Sequence, residues 1–384
     1  MTPAQASLLD SLRAAAAQIV LIGHIYSIVL RPERTLGIGD LGVVVFFVLS
    51  GFLIGYTTLN RCSRDDYGLR RYLVDRFCRI FVPYLPALVL ILLIDSAVFA
   101  WTDTRTYIEH YTFKDFAASL LMLQQHPAGL FLDEILGASS LKLSTFSSAR
   151  PLWTVAVEWW LYVSFGLLVF RARQIVSSRR WQLLFIAFSS VPLFNAIAGS
   201  GAGLSLVWFA MCGLAWVYWK AQKRIDIRIA DIMNGTGPAR GLFRAAPFLL
   251  LLLIAARLLW TGLLETREPF ERLLFYDFNL YGLIMALCVV LFLLKGTRMH
   301  GERNRTARFI ADYSYSLYLI HYSVIFMLHA FGLKSGSDVL DLFIYLVACN
   351  AAAIVFWYVF ERNYRRFGER LFGRHGAAPA RGMP

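Results

Sequence analysis

The sequence predicts an all-α fold: a polytopic integral membrane protein of about ten transmembrane helices with cytoplasmic N- and C-termini. Three observations predict it. Hydrophobic residues make up 58% of the 384 positions and charged residues only 16%, less polar surface than a soluble globule of this size needs. The apolar residues gather into stretches of roughly 18–23 positions, long enough to cross a bilayer core as helices with every backbone group paired internally. Positive charge alternates along the chain. With the N-terminus in the cytoplasm, 28 of the 38 Lys and Arg fall in cytoplasmic segments, 9 in outer segments, and Arg257 within a span. That is the positive-inside pattern.

The spans fall at 12–30, 42–59, 80–100, 151–170, 181–198, 203–219, 245–264, 278–294, 309–330 and 340–360. The first ends at Arg31-Pro32 without a small-residue cleavage site, so it is expected to stay as a signal anchor. The apolar segment 116–132 carries Gln124, Gln125, His126 and Pro127 at its centre. It is expected to be re-entrant or interfacial, because an eleventh crossing there would invert every later loop. The outer segment 101–150 is nearly balanced in charge and ends in a Ser/Thr/Gly-rich run from Gly137 to Ser148. A loop of that length is more than a connector and is expected to fold over the outer mouth. Residues 1–372 read as a single transmembrane domain, and 373–384 as a disordered tail. No repeat of fixed period is evident.

The net charge of +13 is a topology signal and does not argue for nucleic acid. The five cysteines form no CxxC pair and none lies in an outer segment. Neither disulfides nor a metal site is expected to hold the fold.

Polar side chains inside spans are costly and stay where they pair or work. Four stand out: His24, Ser50, Glu158 and His321. At 1.5 Å per residue, His24 lies about 9 Å below the outer surface, Ser50 about 12 Å and Glu158 about 10 Å. His321, about 18 Å up from the cytoplasmic end of its span, is in the outer half as well. Four spans thus place polar groups in one layer. Arg13 precedes His24 by almost three turns, so the two share a face about 16 Å apart. Arg76 and Arg79, at i and i+3, share another where the third span enters. Guanidinium groups hold phosphates bidentately, so these cations suit an anionic head whose long neutral arm runs up to His24. Each residue also has a structural reading. His24 and His321 can hydrogen-bond neighbouring helices, and Ser50 in Leu49-Ser50-Gly51 can be a small packing residue. Arg76 and Arg79 can be topology charges, and Tyr315, Tyr318 and Tyr322 can be packing. Glu158 is hardest to explain structurally, since a buried carboxylate needs a partner or a proton.

Five motifs resemble those of the acyltransferase-3 family of bacterial membrane O-acyltransferases. Arg13-x10-His24 matches its Arg/Lys-x10-His signature. Gly42 to Ile54 looks like its second-span motif, and Arg76-Phe77-Cys78-Arg79 followed by Pro83 like its RxxR. Leu152-Trp153-Thr154-Val155-Ala156-Val157-Glu158, with Tyr162, is similar to its WSLSxE-xxxY. Ser314-Tyr315-Ser316-Leu317-Tyr318-Leu319-Ile320-His321 is similar to its YSLYLxH. The motifs occur in the family's order over roughly 10–330. Two positions depart from the pattern. Val44 stands where many members carry an acidic residue, with Asp40 one turn earlier on the same face as a substitute. Phe360-Glu361-Arg362-Asn363 stands where they carry tyrosine–glutamate–x–proline.

The resemblance implies an acyl-CoA co-substrate, usually acetyl-CoA, with no bound cofactor, and a hydroxyl acceptor on a glycan or lipid-linked sugar. It implies a cell (inner or plasma) membrane location. On this reading His24 is the general base, and Glu158 orients the imidazole or binds the sugar. Arg13, Arg76 and Arg79 hold the donor phosphates. Ser50, Tyr162, Ser314, Tyr318 and His321 are candidates for the acceptor or the oxyanion. An acyl-His24 intermediate is the competing mechanism. A secondary transporter of a lipid-linked or oligosaccharide substrate, and a non-catalytic scaffold, are the competing classes.

Overall fold

A computed structural model describes residues 2–32, 38–62, 64–124, 126–129, 143–197, 203–264, 282, 284–291, 304–364 and 366–368. Among the described residues the fold is helical, with no strand. The helices are α1 (Pro3–Ile25), α2 (Ile38–Arg61), α3 (Leu69–Trp101), α4 (Phe113–Leu120), α5 (Trp153–Ser177), α6 (Arg179–Ile197), α7 (Leu204–Asn234), α8 (Pro238–Leu264), α9 (Arg305–Ala330) and α10 (Asp338–Phe356). Residues 284–291 are helical as well. Short π-helical turns extend α1 (Tyr26–Leu30) and α10 (Trp357–Glu361).

Among the described residues, seven helical stretches are long and apolar enough to cross a membrane: Pro3–Leu30, Ile38–Arg61, Leu69–Trp101, Arg150–Ser177, Leu204–Gln222, Pro238–Ala256 and Asp338–Gly368. This is a multi-pass membrane protein. The expected spans at 181–198 and 309–330 fall on the helices α6 and α9, which are not among those seven. That at 278–294 lies partly outside the described residues, and the tail 373–384 wholly so. Where α4 falls in the segment 116–132, it has eight residues, about 12 Å of helix and too short to cross.

Several helices outrun the apolar stretches that announce them. The capping box of Thr2 and Gln5, with Pro3 in the first turn, starts α1 well before its span. α3 begins at Leu69, so Arg76 and Arg79 sit inside the helix instead of at its edge. α7 continues to Asn234, where Gly235 follows. Nothing between Lys220 and Asn234 breaks a helix.

α2 lies between α1 and α7, α9 packs against α1, α3 and α10, and α5 packs against α3 and α6. The α2–α7 crossing is close because Gly51 and Gly55 face Trp208, Met211 and Cys212 on α7, where a Cβ would meet backbone. Small residues spaced four apart let membrane helices approach this way. We expect Gly51→Val to separate α2 from α7 and destabilise the protein by about 1–3 kcal/mol, read as a lower thermal midpoint in detergent.

The segment 101–150 packs down onto the bundle where it is described. Asp95 of α3, fully buried, accepts Ser148 Oγ–H at 2.7 Å and Ser148 N–H at 3.1 Å. Ser148 also reaches Ser323 of α9 at 2.6 Å. Asp115 accepts the Ser144 N–H at 3.1 Å, Ser119 that of Phe146 at 3.0 Å, and Met122 the Trp160 indole N–H at 2.7 Å. The large apolar side chains left exposed, such as Phe248, Leu252 and Leu253 on α8 and Phe343 and Val347 on α10, are what a lipid-facing surface requires.

Candidate active site

Three polar clusters, with a tyrosine between the second and the third, form the site. At one end stand three arginines. Arg79 of α3 pairs with Glu361 in the turn after α10; Glu361 is 1% exposed and also accepts the Ser316 Oγ–H at 2.6 Å and N–H at 3.1 Å. The Arg79 guanidinium lies 5.2 Å from the Tyr315 ring and 5.3 Å from that of Tyr364. Arg76 lies 5.9 Å from the ring of Tyr72, and its buried Nε has no hydrogen-bond partner among the described residues. Arg13 of α1 is within electrostatic reach of Arg79, Tyr162 and Glu361. In the turn between α2 and α3, burial raises the Tyr67 phenol above its ordinary pKa, with Arg76 and Arg61 opposing the rise.

Next comes a carboxylate with two hydroxyls. Glu158 and Tyr162 are one turn apart on α5, so both project from one face. Tyr162 OH and Ser50 Oγ of α2 each donate to Glu158 Oε1 at 2.5 Å and lie 2.9 Å from each other. Trp208 of α7, fully buried, donates its indole N–H to Ser50 Oγ at 3.1 Å. Three helices thus hold one carboxylate, and Arg76 is within electrostatic reach of Tyr162.

Tyr318 of α9 connects this cluster to the last. Its hydroxyl lies 2.6 Å from Thr154 Oγ1 and 3.2 Å from the Pro151 carbonyl. It is within electrostatic reach of Glu158 and Asp40, and its ring is 5.8 Å from that of His321. His24 and His321 stand beyond it, with ring centroids 5.2 Å apart. Tyr322 meets His24 edge-on at 5.0 Å, and its hydroxyl is 2.6 Å from that of Tyr107 in the outer segment. The π-helical turn Tyr26–Leu30 follows directly on His24.

The sequence candidates are therefore brought together, with different partners from those expected. His24's ring neighbours are His321 and Tyr322, while Glu158 is held by Ser50 and Tyr162. Ser314 is fully buried and donates to the Ala311 carbonyl of its own helix at 2.8 Å. Three participants were not singled out. Trp208 lies about one turn into its span, close to the interfacial belt where tryptophan is usual, so nothing in the sequence set it apart. Glu361 was noted only for the missing proline after it. Tyr107 has a left-handed backbone, φ 67°, which nothing in its local sequence announces.

The fold and the site define a multi-pass membrane protein with a chain of cations, hydroxyls and imidazoles enclosed by α1, α2, α3, α5, α7 and α9. The chain belongs to the acyltransferase-3 family: its model, described as "Acyltransferase domain", matches residues 7–362. An O-acetyl transferase of Shigella phage Sf6 is 25% identical over 196 residues, 49% of this chain and 53% of the phage protein. A putative O-acetyltransferase of Staphylococcus aureus (strain COL) is 22% identical over 391 residues, 96% of this chain and 57% of the relative. The chain spans about half the length of these curated relatives. No solved structure matches it.

Proposed function

We propose that this protein transfers an acyl group, acetyl by default, from acyl-CoA at the cytoplasmic face of a cell (inner or plasma) membrane to a hydroxyl of a glycan or lipid-linked saccharide at the outer face. Ten spans with both termini in the cytoplasm set that direction. The observation that carries the reading is the order of groups along the site: Arg13, Arg76 and Arg79, then Glu158 with its two hydroxyls, then Tyr318, then His24 and His321. An anionic donor head at the arginines and a reacting thioester at the imidazoles suit the two ends. The names of the two relatives, an O-acetyl transferase and a putative O-acetyltransferase, agree with it.

The reaction is a direct displacement. The acceptor hydroxyl gives its proton to a ring nitrogen of His24 as its oxygen bonds to the thioester carbonyl carbon. The tetrahedral adduct then collapses, the carbon–sulfur bond breaks, and the thiolate leaves with the proton that His24 returns. Products are the ester and the free thiol of CoA. Arg13 and Arg76 bind the donor phosphates. Arg79, fixed by Glu361, adds positive field to the same end. Ser50 and Tyr162, held by Glu158, line the path of the neutral arm between the two ends.

The test is sided. Protein is reconstituted into sealed vesicles carrying envelope glycan on one face, and [acetyl-14C]acetyl-CoA is added to the other. Label on the glycan, with equimolar release of thiol, supports the reading; label only when donor and acceptor share a face removes the transmembrane direction. The arginine role has its own test. Losing a charge-assisted contact costs about 1.5–3 kcal/mol, so Arg76→Ala is expected to weaken acetyl-CoA binding roughly ten- to a hundredfold. Unchanged binding by calorimetry would remove Arg76 from the donor site.

A further inference from the structure

His321 is 1% exposed, and its hydrogen bonding is one-sided. Nδ1 lies 3.0 Å from the Leu317 carbonyl oxygen and 2.9 Å from that of Tyr318. A carbonyl only accepts, so Nδ1 carries the proton. Nε2 is buried and has no partner among the described residues. The rings around it are His24, Tyr318 and Tyr322. None of these is an anion that would pair with an imidazolium, so the ring is neutral and Nε2 presents a lone pair. It is therefore an acceptor in search of a donor, and cannot supply a hydrogen bond to an oxyanion.

The ring nearest to it from another helix is His24, with centroids 5.2 Å apart. In the proposed reaction the proton-accepting nitrogen of His24 also presents a lone pair. Two nitrogen lone pairs do not satisfy each other, and a buried acceptor left unpaired is costly. A ligand with two hydroxyls on adjacent carbons satisfies both. One O–H donates to His24 and is the one acylated, and its neighbour donates to His321.

We infer that the acceptor of this enzyme is a vicinal diol, and that His321 is an acceptor-binding residue reading the free hydroxyl next to the one acylated. The inference rests on the acyl-transfer reading and narrows it to secondary ring hydroxyls with a free neighbour. An isolated primary hydroxyl, as on an exocyclic carbon, fits poorly because it offers Nε2 nothing.

The experiment uses full-length protein in native membranes with [13C2]acetyl-CoA as donor and the envelope glycans already present as acceptor. The labelled glycan is released, and the ester is located by carbon–proton correlation spectra. The expected result is an ester on a secondary carbon whose neighbour bears a free hydroxyl. Alongside, His321→Leu is expected to lower kcat/KM for the acceptor about ten- to a hundredfold. His321→Gln, whose side-chain carbonyl can accept in the place of Nε2, is expected to recover a substantial part of that loss. An ester on an isolated or primary hydroxyl overturns the inference without touching acyl transfer. So does a glutamine variant as inactive as the leucine variant when both bind acetyl-CoA normally. Absence of label from wild-type membranes falls on the acyl-transfer reading itself.

Discussion

Replacing His24 by alanine is expected to lower acetyl transfer by about 10²–10⁴-fold, the usual contribution of a positioned general base. A sugar hydroxyl is a poor nucleophile at neutral pH, and His24 is the group assigned to take its proton. His321 Nε2 is assigned to the neighbouring hydroxyl, and the hydroxyls of Tyr322 and Tyr107 are engaged with each other. The loss should appear in kcat with donor binding unchanged, because the arginines stand at the opposite end. It should come without a large loss of stability. His24 is only half-buried, and its described contacts are ring contacts with His321 and Tyr322. Single-turnover kinetics with wild type and His24→Ala at matched levels decides the matter. A labelled acyl-protein that vanishes in the variant would favour the acyl-histidine route over direct displacement.

The second large effect is on stability. Arg79 and Glu361 join α3 to the turn after α10, and Glu361 is 1% exposed. Removing Arg79, whose side chain is 30% exposed, strands the buried Glu361 carboxylate, at a cost of up to about 3–5 kcal/mol. Arg79→Ala is therefore expected to lower the thermal midpoint in detergent sharply, despite the Ser316 hydrogen bonds that Glu361 keeps. Arg79→Met combined with Glu361→Gln removes both charges and leaves an acceptor for Ser316. This double variant should be more stable than Arg79→Ala alone. If it is less stable by the sum of the single changes, the pair is not acting as a unit.

How much of this was legible beforehand depends on whether the signal was local. The helical class, most helix positions, the Arg13–His24 face and the Arg76–Arg79 pair all follow from spacing along one helix. Helix periodicity also brings Glu158 and Tyr162 together, one turn apart. What joins helices is not local. Arg79 and Glu361 are 282 residues apart, Ser50 and Trp208 are 158 apart, and Tyr107 and Tyr322 are 215 apart. No period in the sequence couples such positions. The same gap explains the altered partnership of Glu158. Depth put it in the same layer as His24, but its lateral neighbours depend on which helices adjoin α5. Helix ends were misjudged for another reason: hydropathy marks where the lipid ends, and a helix continues until a residue such as Gly235 stops it.

The most direct test of the central claim is donor dependence. Membranes containing the protein are supplied with envelope glycan, with and without [acetyl-14C]acetyl-CoA, and both glycan-bound ester and glycan movement across the membrane are followed. Ester label that requires both the protein and the donor is the predicted result. Movement of glycan without acetyl-CoA, and no ester in its presence, would contradict it and make the protein a transporter.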